Sequence, residues 1–269
     1  MPVNTPAVFY RGTPAYVGAT STNTLSRAVT TAALTSNLVT LTLGTTHGLS
    51  QVGTLISVQG VGTSYDGIYP VFQFPTTSTL TYVKTASNIT SAAVSPNGSA
   101  IFNTGVVTGG AISNAAVTNY VAIVTTSSAH GLAIGDVVAV NCGLTGVDTG
   151  AAVVTSIPSA TIFTFNSATL SVASTAISQG AFGKYPPVYI APASTTIVAT
   201  NAVLTNPSSA SAAQFQMTID GTPVVSGLSV PVNSSTVVDF KQYAATGKTI
   251  TIGTTVPSAT ATISGMTMV

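Results

Sequence analysis

The chain predicts an all-β protein: two tandem small immunoglobulin-like β-sandwich units followed by a C-terminal jelly-roll-like antiparallel sandwich. Three observations predict it. Glu is absent while Thr, Val, Ser and Gly dominate. β-Branched residues lose side-chain freedom in a helix and fit a pleated surface. Several stretches alternate with period two: LVTLTL (38–43), TLTYV (79–83), TIFTF (161–165) and QFQMTID (214–220). Turn residues separate such stretches at intervals of about 8–12 residues, the spacing of sandwiches and barrels.

The elements follow in order. Within an N-terminal segment, 1–28, VFYRGTPAYV (8–17) reads as a strand without a domain of its own. It is expected to pair with an edge of the C-terminal sandwich, which would make the two units an insertion. Those units, 29–106 and 107–183, are copies of one pattern. Each has an alternating strand, then His-Gly-Leu (His47, Gly48, Leu49; His130, Gly131, Leu132) and a glycine at the next turn (Gly53; Gly135). A short apolar strand follows (LISV; VVAV), then a loop with Asp and Gly (Asp66, Gly67; Asp148, Gly150). The next strand ends at Pro75 or Pro158, and an aromatic, Tyr82 or Phe165, comes seven residues later. At roughly 70–80 residues, each copy can bury its own core. The block 184–269 reads as about eight short strands. Asp220-Gly221 makes a tight turn, because Asp-Gly tolerates positive φ, and Thr246-Gly247-Lys248 makes another.

Charged residues are 4% of the chain, against about 25% in an ordinary soluble domain. A surface so short of charge is poorly protected from association, so much of it is expected to meet other copies or another protein. Polar residues interrupt every apolar run, which predicts no membrane insertion. The start, MPVNTPAVFYRG, has no basic segment followed by an apolar one, so folding in the cell that makes the chain is expected. The single Cys142 excludes an internal disulfide, suits a reducing compartment, and reads as a small buried side chain. Lys and Arg number 6 against 5 Asp, which leaves no electrostatic footprint for nucleic acid.

Acid–base chemistry needs two carboxylates, or a His with a carboxylate, converging on one place. Asp66, Asp148, Asp220 and Asp136 all sit at turns, where Asp binds nearby backbone amides. Asp239 and Lys241 share a strand face and read as a surface pair. His47 and His130 lack partner ligands at a useful spacing, so no metal is expected and both read as turn residues, with Gly48 and Gly131 supplying backbone freedom. No phosphate loop, dinucleotide fingerprint or nucleophile elbow occurs, so neither an enzyme nor a cofactor is expected. Tyr65 and Tyr69, in TSYDGIYP, are the best exposed-looking aromatic pair and the candidate for stacking on a host surface glycan, but core or interface packing is the favoured reading, because aromatics dominate buried area in small sandwiches.

The His47-to-Tyr82 and His130-to-Phe165 pattern resembles small β-sandwich modules of tailed-bacteriophage structural proteins. Tyr189-Ile190-Ala191-Pro192-Ala193-Ser194-Thr195-Thr196 is similar to the start of the C-terminal sandwich of phage minor structural proteins. So are Asp220-Gly221, Pro231-Val232-Asn233-Ser234-Ser235-Thr236, Asp239-Phe240-Lys241-Gln242 and Gly247-Lys248-Thr249-Ile250. The resemblance implies a virion protein made in the host cytoplasm, with other virion proteins as partners and no catalytic residues. It implies a minor tail or fibre-like role, with capsid decoration and glycan binding as alternatives. Homo-oligomerisation, with a trimer as the guess, follows by analogy.

Overall fold

The computed structural model describes residues 4–13, 24–103 and 107–268. Strands and turns make up all of this, with no helix among the described residues. The chain opens with β1 (Asn4–Gly12). The first unit holds β2 (Thr24–Thr35), β3 (Leu38–Leu43), β4 (Leu55–Gln59), β5 (Gly67–Pro70), β6 (Gln73–Thr76), β7 (Thr79–Val83) and β8 (Ile89–Asn103). The second holds β9 (Gly109–Thr118), β10 (Val121–Thr126), β11 (Val137–Asn141), β12 (Thr149–Ser159), β13 (Ile162–Asn166), β14 (Ser171–Ala176) and β15 (Ala181–Lys184). Then come β16 (Pro187–Ile190), β17 (Thr196–Asn206), β18 (Ala213–Ile219), β19 (Thr222–Val230), β20 (Ser234–Ala244), β21 (Thr249–Thr254) and β22 (Thr260–Met268).

β1 pairs antiparallel with β22, from Asn4 against Met268 to Gly12 against Ala261. With it, the C-terminal domain has two four-stranded sheets, ordered β1-β22-β17-β20 and β16-β21-β18-β19. First pairs with last, second with second-last, and so inward to the hairpin β18–β19 at Asp220-Gly221. That is one long antiparallel ribbon rolled up, the jelly roll. Both residues of its innermost turn have positive φ, 51° and 70°, which matches the right-handed twist of the flanking strands. Everything from β2 to β15 lies between its first and second strands. Residues 24–28 belong to β2 and so to the first unit, correcting the boundary expected at 28, and 14–17 of the expected N-terminal strand lie outside the described residues.

The two units share a rolled-sheet topology. In the second, β9, β10, β13, β12, β11 and β15 pair in turn, and β15 also pairs with β9, so the sheet closes into a barrel. The first, ordered β5-β4-β8-β2-β3-β7-β6, is open only between β5 and β6. There the Val71 amide still donates to Thr54 O and the Phe72 amide to Thr81 O. Both units begin with a hairpin whose two turn residues have positive φ, Ser36-Asn37 and Asn119-Tyr120.

The period-two strands place their apolar halves as the alternation predicts: β3 buries Val39, Leu41 and Leu43, and β10 buries Ala122 and Val124. Each such Val or Leu contributes about 1.5–3 kcal/mol through burial. The apolar runs LISV and VVAV behave differently, being buried on both faces. Ile56, Val58, Val138 and Val140 fill the unit cores. Leu55, Val137 and Ala139 join Ile68, Ala151 and Tyr185 in a separate cluster where the units and the jelly roll meet.

Candidate functional site

The two histidines are bonded alike. His47 Nδ1 accepts from the Leu49 amide at 2.9 Å, and Nε2 lies 3.0 Å from Thr76 O. His130 Nδ1 accepts from the Leu132 amide at 3.0 Å, and Nε2 lies 3.1 Å from Ser159 O. An imidazole nitrogen that accepts from an amide carries no proton, so the proton sits on Nε2 and is donated to the carbonyl. Each ring is buried and packs on an aromatic, Phe74 or Phe163. The imidazole thereby ties the His-Gly-Leu turn to the hairpin before the next strand, and both nitrogens are used. Gly48 and Gly131 take φ of 70° and 63°, open to glycine without strain.

The loop aspartates also form a matched pair. Asp66 accepts from the amides of Gly60, Val61 and Gly62 at 2.9–3.2 Å. Asp148 accepts from Cys142 and Gly143 at 2.7–3.1 Å. Each carboxylate folds its own loop back, closing the entry to β5 or β12 beside Gly67 or Gly150. Burial raises the Asp148 pKa against the opposing pull of the amide bonds from Cys142 and Gly143. Burial, then the charge of Asp148, pushes the Cys142 thiol up, so it carries no reactive thiolate at neutral pH.

Tyr65 and Tyr69 are not exposed, each showing only 8% of its surface. Tyr69 stacks on Tyr82 with centroids 4.3 Å apart, and its hydroxyl donates to Asp66 O at 2.9 Å. The Tyr82 hydroxyl donates to Tyr65 O at 2.7 Å. These rings close the first core and offer no face to a sugar, which corrects the glycan-contact expectation and agrees with the packing reading: Tyr65 sits in the turn closed by Asp66, and Tyr69 on β5, which is buried on both faces. Lys84 caps the cluster, donating to Thr63 O and Asp66 O at 3.1 Å; burial lowers its pKa while Asp66 acts in the opposite sense.

Among the described residues the ion pairs are Lys184–Asp136 at 2.8 Å and Lys248–Asp220 at 2.9 Å. Asp136 additionally accepts from the Ala133 amide at 2.8 Å. The expected Asp239–Lys241 pair does not form; the Lys241 ammonium lies 5.6 Å from the Tyr243 ring centroid instead. Among the described residues no three His, Cys, Asp or Glu side chains gather as a metal site.

What the repeat does bring together is a set of docking points. A methyl on Gly53 would lie 2.6 Å from Gly109 Cα, so the first unit sits backbone-on-backbone against the second. The equivalent Gly135 meets Gly221, at the innermost turn of the jelly roll, in the same way. At the three-way junction the Tyr185 hydroxyl lies 2.7 Å from Gly150 O and 2.8 Å from Thr254 O, bridging β12 and β21. A Cβ on Gly253 would lie 2.9 Å from Ala151 Cβ. Gly53 and Gly135 were legible as a repeated turn; their docking partners and Tyr185 were not, because the contacts cross between domains. Clefts run along these seams, one between the Asp66 loop and residues 255–258, another, lined by no charged side chain, between β12 and β18–β19 with Gln214, Gln216 and Asn166.

No family model matches the chain, and no curated protein matches it. Among solved structures, the chain is similar to the T13 IBDV viral particle, described as revealing "a missing link in icosahedral viruses evolution". The likeness covers 94% of this chain and 72% of that one at 8% identity, with a TM-score of 0.23. A likeness of that size carries no argument about this chain.

Proposed function

We propose that the chain is a non-enzymatic structural component of a tailed-phage virion, a minor tail or fibre-like protein present in several copies. One observation carries this reading. The groups that could do chemistry, His47, His130, Asp66 and Asp148, are bonded to their own turns, while Gly53 locks the first unit onto the second and Gly135 locks the second onto the jelly roll. Such a construction makes a stiff, charge-poor body suited to packing beside neighbours. The motif resemblance around Tyr189–Thr196 and Asp239–Gln242 supports the phage assignment.

Imaging of intact particles, with the chain located by tagged antibody fragments, tests the reading. Density on the tail is the expected result. Density only on the capsid lattice would replace the tail role with capsid decoration, and its absence from particles would end the virion reading altogether.

A further inference from the structure

We infer that the outer face of the sheet β1-β22-β17-β20 is a self-association surface that receives the same face of a second copy. The inference deepens the assembly reading above and rests on it for the presence of like copies. The inserted units pack on β18, β19 and β21, which belong to the other sheet, and among the described residues their strands give this one no comparable cover. β20 has apolar side chains on both sides: Val238 and Phe240 pack against the core, while Val237 and Tyr243 point out, 59% and 50% exposed. At the opposite edge, Val8 on β1 is 57% exposed.

Register fixes what this face presents. One row across the strands is Arg11, Thr262, Val203 and Val237. The adjacent outward row is Val8, Ser264, Asn201 and Asp239. Its charges therefore lie at opposite edges, Arg11 on β1 and Asp239 with Lys241 on β20. Neither Arg11 nor Asp239 belongs to an ion pair among the described residues.

That placement selects one symmetry. A two-fold axis parallel to the strands, between two such faces, lays β1 of each copy over β20 of the other at the same level. Arg11 of one copy then stands over Val237 of its partner, within one side-chain step, about 7 Å, of the partner's Asp239. The contact forms twice by symmetry. A two-fold perpendicular to the strands would lay β1 over β1 and bring no opposite charge to Arg11. Four strands about 4.8 Å apart and about 30 Å long give a plan area near 600 Å². Side-chain relief brings that towards the roughly 800 Å² per partner of an ordinary stable interface.

The test is the mass of the purified full chain by light scattering and sedimentation over a concentration series, with Val237→Asp and, at the sheet centre, Thr262→Arg. The wild type should be a dimer or a multiple of one, and both variants should dissociate with unchanged circular dichroism. Arg11→Asp and Asp239→Arg should each weaken association about fivefold, and the double exchange should restore it. A wild-type oligomer that survives both Val237→Asp and Thr262→Arg overturns this surface and leaves the assembly reading standing. A wild type that stays monomeric throughout overturns both.

Discussion

Gly135 of the second unit rests directly on Gly221 of the jelly roll: a methyl on Gly135 would lie 2.6 Å from the Gly221 carbonyl carbon. Gly53 occupies the same place in its own unit and faces Gly109. One duplicated turn thus serves twice as a docking surface, each time towards the next domain along the chain.

Gly135→Ala should therefore uncouple domains more than it unfolds them. Its φ of +88° already costs an L-residue about 1–2 kcal/mol, before any collision. Calorimetry of the wild type should show the second unit and the jelly roll melting together. The variant should split that transition and become sensitive to proteolysis near Tyr185. An unchanged single transition would show that the seam yields to a methyl group.

His47→Ala and His130→Ala should cost about 2–3 kcal/mol each, because each leaves a buried amide and a carbonyl without a partner. Urea unfolding measures this. Nitrogen NMR of the imidazoles should report the proton on Nε2 in both rings. A ring protonated on Nδ1 would contradict the bonding described.

Asp148 should titrate above the usual aspartate value of 3.8, because burial disfavours its charge. A carboxyl whose native pKa is raised binds protons more readily folded than unfolded. Its contribution to stability is thus full below 3.8 and is lost as pH rises through the native pKa. Carbon NMR of the carboxyl reads the midpoint. The unfolding free energy of wild type minus Asp148→Asn, followed from about pH 3 to pH 7, should fall with rising pH.

Asn206 is fully buried, and its amide nitrogen lies 2.9–3.1 Å from Ser211 O, Val230 O and Pro231 O. Asn206→Ala leaves these carbonyls unsatisfied and should cost about 2 kcal/mol or more. Thermal unfolding should show the loss in the transition that the jelly roll shares with the second unit.

The sequence by itself determined the strand class, the duplication and the turn chemistry. All three are local: alternation sets which side chains share a face, and His-Gly-Leu and Asp-Gly place bonds within a few residues or across one hairpin. LISV and VVAV were legible as short apolar strands, and the structure buries them on both faces. Only the tertiary structure decided what provides that cover, how β1 meets β22 across the inserted units, and that Tyr65 and Tyr69 point inward. Those outcomes depend on the closing of each rolled sheet and on backbone contacts between glycines. A glycine has no side chain to announce its partner, so its docking role appears only when the surfaces are already together.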